Sequence, residues 1–179
     1  MPAPDFYDTD RLQQVAINLF YGWGYNFYRL ENQLRADDLL VRSHVSNLLG
    51  NARRSVEAEQ SRYRRIFLPL PTRENPLPDP AAAANARTLE ELCAGIGQLE
   101  GAIRALPVPE NDRMTQRYRR EAETLLHLRD CDTQLVGLVE TLREMLTHDY
   151  HWMLENAAVI QDGLHLLRHT LEDRQSLLQ

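Results

Sequence analysis

The sequence predicts an all-α protein: a four- or five-helix bundle with long antiparallel helices and a proline-rich strap. Three observations carry that expectation. The nine prolines fall in three places only, at 2 and 4, at 69, 71, 76, 78 and 80, and at 107 and 109. Proline breaks helix interiors, so the blocks 8–67, 80–106 and 111–178 are where long helices fit. Within each block apolar residues recur at spacings of three and four, and no stretch alternates with period two for long.

The first block begins with Leu12, Val15, Leu19, Trp23, Phe27, Leu30 and Leu34, and resumes with Val41, Val45, Leu48, Ala52, Val56, Tyr63 and Ile66. As one helix it would be about 90 Å long, so a turn is expected where Asp37-Asp38 follows Ala36. The strap, residues 68–80, reads LPLPTRENPLPDP and favours an extended polyproline conformation. It is long enough to leave open whether its flanking helices run parallel or antiparallel. It is read as a strap lying on its own bundle, with a docking peptide for an aromatic groove as the other reading.

Asp79-Pro80 is a helix cap followed by proline at the first helical position. Leu89, Leu92, Ile96, Leu99, Ile103 and Leu106 form the next seam, and Thr88-Leu89-Glu90-Glu91 fits a capping box, a second start within it. Gly97 and Gly101, with Gly95 nearby, suggest close packing or a kink. The last block carries Leu128, Leu135, Val139, Leu142 and Leu146, then Met153, Ala157, Ile160, Leu164, Leu167 and Leu171. A turn at Thr147-His148-Asp149 divides it. The helices are thus placed at 10–35, 38–67, 80–106, 112–146 and 150–178, in one domain spanning 1–179. An N-terminal hairpin (8–67) is joined through 68–80 to the C-terminal helices (80–178). Neither turn contains Gly or Pro, so an elongated coiled-coil hairpin is the alternative architecture.

Composition narrows the function classes. The chain has 179 residues, 43% hydrophobic and 26% charged, typical of a globular protein. No apolar run reaches the roughly 18 residues of a membrane span, and Met1-Pro2-Ala3-Pro4-Asp5 does not resemble a secretory signal. With only Cys93 and Cys131, a cytoplasmic location with free thiols is expected. All 20 basic residues are arginine, a usage that fits a GC-rich bacterial genome. The absence of lysine excludes Schiff-base and P-loop lysines. A net charge of −6 disfavours non-specific binding to nucleic acid or anionic lipid.

Four features are candidates for function. Eight of the 13 aromatic residues lie between Phe6 and Tyr28, most densely from Phe20 to Tyr28, where Phe20, Tyr21, Trp23, Tyr25 and Tyr28 are the candidate contacts. A helix that is apolar most of the way round implies a central position or a partner, and aromatics anchor interfaces. Arg62-Tyr63-Arg64-Arg65 recurs as Arg117-Tyr118-Arg119-Arg120, placing arginines around a seam tyrosine. Segment 51–73 has six arginines against Glu57 and Glu59, whereas 121–179 has 11 acidic and four basic residues. Pairing between these regions, or an anion site, follows from the guanidinium's bidentate geometry. Asp162, His165 and His169 share a helix face with the spacing of a transition-metal site, although that face lies opposite the apolar seam. Glu144, His148, His151 and Glu155 would align only on an unbroken helix, and the expected turn makes them a polar corner. Finally, Asp132 interrupts an apolar seam, with Glu121 on the same face and Cys131 beside it. A core-facing acid of this kind is expected to pair with an arginine and set register.

No catalytic motif is visible, and the expected function is non-enzymatic: a cytoplasmic accessory or scaffold protein that binds another protein or itself. The interaction would use Phe20, Tyr21, Trp23, Tyr25 and Tyr28, or the arginines at 62, 64, 65, 117, 119 and 120. No cofactor is expected. The alternatives are a bundle that binds a transition metal or cofactor, and an arginine-mediated binder of nucleic acid or phosphate.

Overall fold

The computed structural model describes residues 34–73, 76–106 and 122–177, and among these every regular element is helical. The elements are α1 (Leu34–Phe67), α2 (Pro80–Ala105), α3 (Ala122–Met145), α4 (Tyr150–Glu155) and α5 (Ala157–Leu177). The protein is a helical bundle built from two antiparallel hairpins, α1–α2 and α3–α4/α5.

Cross-helix contacts fix the first hairpin's direction. Arg42 Nη1 donates to the Leu106 carbonyl at 2.7 Å, Arg104 Nε to Ser46 Oγ at 2.7 Å, and Arg64 Nη2 to Glu90 Oε2 at 3.1 Å. Residue numbers rise on one helix as they fall on the other, so α1 and α2 are antiparallel despite the long connection. In the second hairpin Arg174 Nε donates to Asp132 Oδ1 at 2.6 Å. The hairpins then pack side by side, α1 along α3 and α2 along α5. The Cβ direction of Gly95 points at Leu164 Cδ1, where an added methyl would sit 3.1 Å away. The close approach of α2 and α5 therefore rests on Gly95. Gly97 meets only Arg53 at ordinary distance, and a methyl on exposed Gly101 would meet none of the described residues within 4 Å.

The seams fill the centre as the periodicity requires. Val41, Val45, Ala52, Val56 and Tyr63 of α1 are buried with Leu89, Leu92, Ile96, Leu99 and Ile103 of α2. Leu135, Val139 and Leu142 of α3, with Leu146 just beyond it, meet Met153, Ile160, Leu164, Leu167 and Leu171. Each such leucine or isoleucine removed from water stabilises the fold by roughly 1.5–3 kcal/mol before opposing entropy. Four positions differ from the seam prediction, two of them because Leu106 and Ala157 are only half-buried. Leu49 rather than Leu48 is fully buried, and Ile66 is 54% exposed.

Helix ends account for the other differences. The expected break at 36–38 is absent, because α1 runs continuously through Asp37-Asp38. No Gly or Pro opposes helix there, so an internal Asp pair does not stop it. The helix proposed at 10–35 lies otherwise outside the described residues. The capping-box start at Thr88 is also not used. Thr88 is inside α2, and its hydroxyl bonds back to the Ala84 carbonyl at 3.3 Å. The true start is Asp79, whose Oδ2 accepts from Ala82 N at 3.0 Å, with Pro80 following. Replacing Asp79 with alanine is expected to cost about 1 kcal/mol, read as a lowered thermal midpoint with unchanged helical circular dichroism.

The turn expected at 147–149 is present. Thr147 N and His148 N bond to carbonyls three residues back, tightening the end of α3. Asp149 then caps α4 by accepting from Trp152 N at 3.1 Å. A further interruption occurs at Asn156, whose backbone leaves the helical angles (φ −108°, ψ 16°), while its side-chain Nδ2 and its backbone N both donate to the Trp152 carbonyl, at 2.9 and 3.0 Å. The helix placed at 150–178 is therefore two, α4 and α5.

Among its described residues the strap stands away from the bundle, contrary to the reading that it lies on it. Only Leu68 is half-buried against the core, whereas residues 69–73 and 76–79 are exposed. Leu70 and Leu77 are 88% and 82% exposed. The prolines that flank these leucines favour an extended backbone, which keeps them from folding back as helix side chains would.

Candidate interaction surface

One pole of the bundle gathers the end of α1, the strap and the start of α4. Tyr63, on the core seam, is the centre of an aromatic cluster: its ring lies 4.7 Å from Phe67 and 5.3 Å from Tyr150, centroid to centroid. The Tyr150 contact is edge-on, as ring quadrupoles prefer. Glu59 Oε2 accepts from Tyr150 N at 3.1 Å, so α1 holds the first residue of α4 by backbone and ring together.

The arginines splay around Tyr63 as the RYRR pattern predicts. Arg62 pairs with Glu59 at 3.7 Å and lies 5.7 Å from the Tyr150 ring centroid. Arg64 reaches Glu90 on α2 at 3.1 Å, and Arg65 is exposed. Arg64 and Arg65 occupy the last turn of α1, where a cation meets the negative end of the helix dipole. Exposed pairs of this kind add little stability. Ile66, Phe67, Leu70 and Leu77 expose apolar surface on this pole. The remaining large apolar residue exposed among those described is Leu40, at the far end.

The other predicted site residues separate into three groups. Phe20, Tyr21, Trp23, Tyr25 and Tyr28, together with Arg117, Arg119 and Arg120, lie outside the described residues, as does Glu121. Asp162, His165 and His169 are all exposed on α5, and His169 Nδ1 is 2.8 Å from Asp173 Oδ2. No group of three His, Cys, Asp or Glu among the described residues is arranged to hold a metal ion. The turn at 147–149 breaks the Glu144–His148–His151–Glu155 row. His148 instead lies against Trp152, 4.5 Å between centroids.

Asp132 behaves as its place in the seam predicts, and its partner is Arg174, only 2% exposed. A second buried acid, Glu100, pairs with Arg104 at 2.6 Å and Arg53 at 3.5 Å. Sequence reading missed Glu100, although its place between Leu99 and Ile103 at the edge of the seam was a signal.

Both cysteines are free and half-buried. Burial raises the Cys93 thiol pKa, and Glu57, with an oxygen 3.8 Å from the sulfur, raises it further. Burial likewise raises Cys131, reinforced by Asp132 and Asp173. Both thiols are thus poor nucleophiles near neutrality. Iodoacetamide at pH 8 is expected to modify them several-fold more slowly than the urea-unfolded chain, as read by mass spectrometry.

Between α2 and α5 an open groove of about 420 Å³ is lined by Leu99, Ala102, Leu106 and Leu171, with Arg168 and Glu172 at its side. Arg168 donates to Gln98 at 3.4 Å. No helix among the described residues is long and apolar enough to cross a membrane. Comparison with known proteins finds no matching family model, no matching curated protein and no matching solved structure.

Proposed function

We propose that this chain is a non-enzymatic accessory or scaffold protein that binds another protein through the pole formed by α1's end and the strap. One observation carries the reading. Four of the five exposed large apolar side chains among the described residues fall between positions 66 and 77, beside Arg62, Arg65 and Arg73. Scattered exposed apolar residues need no explanation, but a concentrated set rimmed by cations has the composition of an interface. The aromatic segment containing Trp23 and Tyr28 is a second candidate contact, on sequence grounds.

The test is site-specific photocrosslinking in cells. A photoreactive amino acid is placed at position 66 or, as a control, at exposed position 162. Position 66 is expected to yield a discrete heteromeric or self-adduct that disappears in Arg65→Glu, with no such adduct from position 162. Equal or absent adducts at both positions, at equal expression, would overturn the proposal. Circular dichroism of Arg65→Glu keeps a folding defect distinguishable from lost contact.

A further inference from the structure

We infer that Pro69–Arg73 is a linear ligand for an aromatic-lined, acid-rimmed groove of the kind that receives polyproline-type peptides. The inference rests on the interaction reading above and names the chemistry of the partner.

The connection is longer than its task. Helices α1 and α2 are antiparallel neighbours, which about two to eight residues suffice to join, yet twelve separate Phe67 from Pro80. Much of that length holds Leu70 and Leu77 in solvent. Each of the two leucines lies between two prolines, in Pro69-Leu70-Pro71 and Pro76-Leu77-Pro78. Proline fixes its own φ and keeps the preceding residue extended, so little conformational entropy remains to be lost on docking.

The two tripeptides are not equivalent. Pro76-Leu77-Pro78 runs into Asp79, whose carboxylate caps α2, so this copy is tied to the helix start and followed by an acid. Pro69-Leu70-Pro71 is followed by Thr72 and the exposed Arg73. In a polyproline helix, which has three residues per turn, Leu70 and Arg73 would fall on one edge, about 9 Å apart. An apolar group and a cation one turn apart fit an aromatic slot with a carboxylate beyond it. Arg65, at the end of α1, adds positive charge beside the same segment. The preference is therefore for an acidic groove, and the first copy is the ligand.

The experiment titrates the full-length protein against purified aromatic-groove polyproline-binding domains. Each domain is used in its acid-rimmed form and with the rim acids changed to amides, and binding is read from the groove tryptophan's fluorescence. The expected result is saturable binding to at least one acid-rimmed domain, weakened about tenfold or more by Leu70→Ala and by Arg73→Glu. Leu77→Ala should change it less than about twofold, and the amide form should lose the effect of Arg73→Glu. No saturable binding across the set, or equal effects of Leu70→Ala and Leu77→Ala, would overturn the inference. If that happens while the position 66 adduct persists, the strap is not the ligand and the interaction reading stands. Loss of the adduct as well would remove both. All three substitutions are at exposed positions, and matching circular dichroism checks that the fold is retained.

Discussion

Replacing Arg174 with alanine is expected to lower the unfolding free energy by about 3–5 kcal/mol, the range for removing one partner of a buried ion pair. The Arg174 side chain is 2% exposed, the Asp132 side chain is 14% exposed, and their atoms approach to 2.6 Å. The pair joins α3 to α5 deep in the second hairpin. Alanine would leave Asp132 with its charge partly desolvated, next to Cys131 and near Asp173, and would open a cavity the length of an arginine stem. The double replacement Asp132→Leu with Arg174→Met tests how much of the loss comes from the broken ion pair. It removes both charges and keeps volume, so it should recover most of the stability. Urea unfolding of the wild type, Asp132→Leu, Arg174→Met and the double replacement gives the coupling energy as a double-mutant cycle. A loss below about 1 kcal/mol for Arg174→Ala would mean that the carboxylate is solvated after all.

That pair also shows how far the sequence could be read. Asp132 is legible because an acid in an apolar seam requires a cation, and its neighbours have clear helical period. Its partner is not legible, since the 42-residue separation to Arg174 depends on the turn and on the Asn156 interruption. The seams were legible for the same reason as Asp132: Ile96 or Leu142 exposed would have cost more than any local preference. Local end signals were weaker. Asp37-Asp38 and Thr88 each had a cap's chemistry, but a cap works only where the chain already leaves the helix, and nothing there made it leave. Asp79 and Asp149 do lie at such points, one before Pro80 and the other after the tightened end of α3. The strap's outward position was the least legible feature. Its prolines predict extension, but which surface an extended segment follows depends on where the helix ends lie.

Replacing Tyr150 with alanine is expected to cost about 3–5 kcal/mol and to separate the hairpins first at the pole that carries the strap. Tyr150 is 6% exposed, and its ring packs against both Tyr63 and Phe67, with the Arg62 guanidinium near its face. It belongs to the second hairpin, whereas its ring partners belong to the first, so it clamps one hairpin to the other. Glu59, which accepts the Tyr150 N–H, is the polar half of that clamp. Glu59→Gln keeps an acceptor but loses the charge, so it should cost well under half as much as Tyr150→Ala. Tyr150→Phe should be nearly silent if ring packing dominates. Hydrogen exchange locates the effect: in Tyr150→Ala, amides of the last two turns of α1 and of α4 should exchange faster, while those near Asp132 and Arg174 follow global stability only. If protection fell uniformly, the two hairpins would unfold as one unit and the clamp would be no more than another core residue. A local loss would tie function to packing, because Arg62, Ile66 and Phe67 present the proposed interface from the very turns that Tyr150 holds in place.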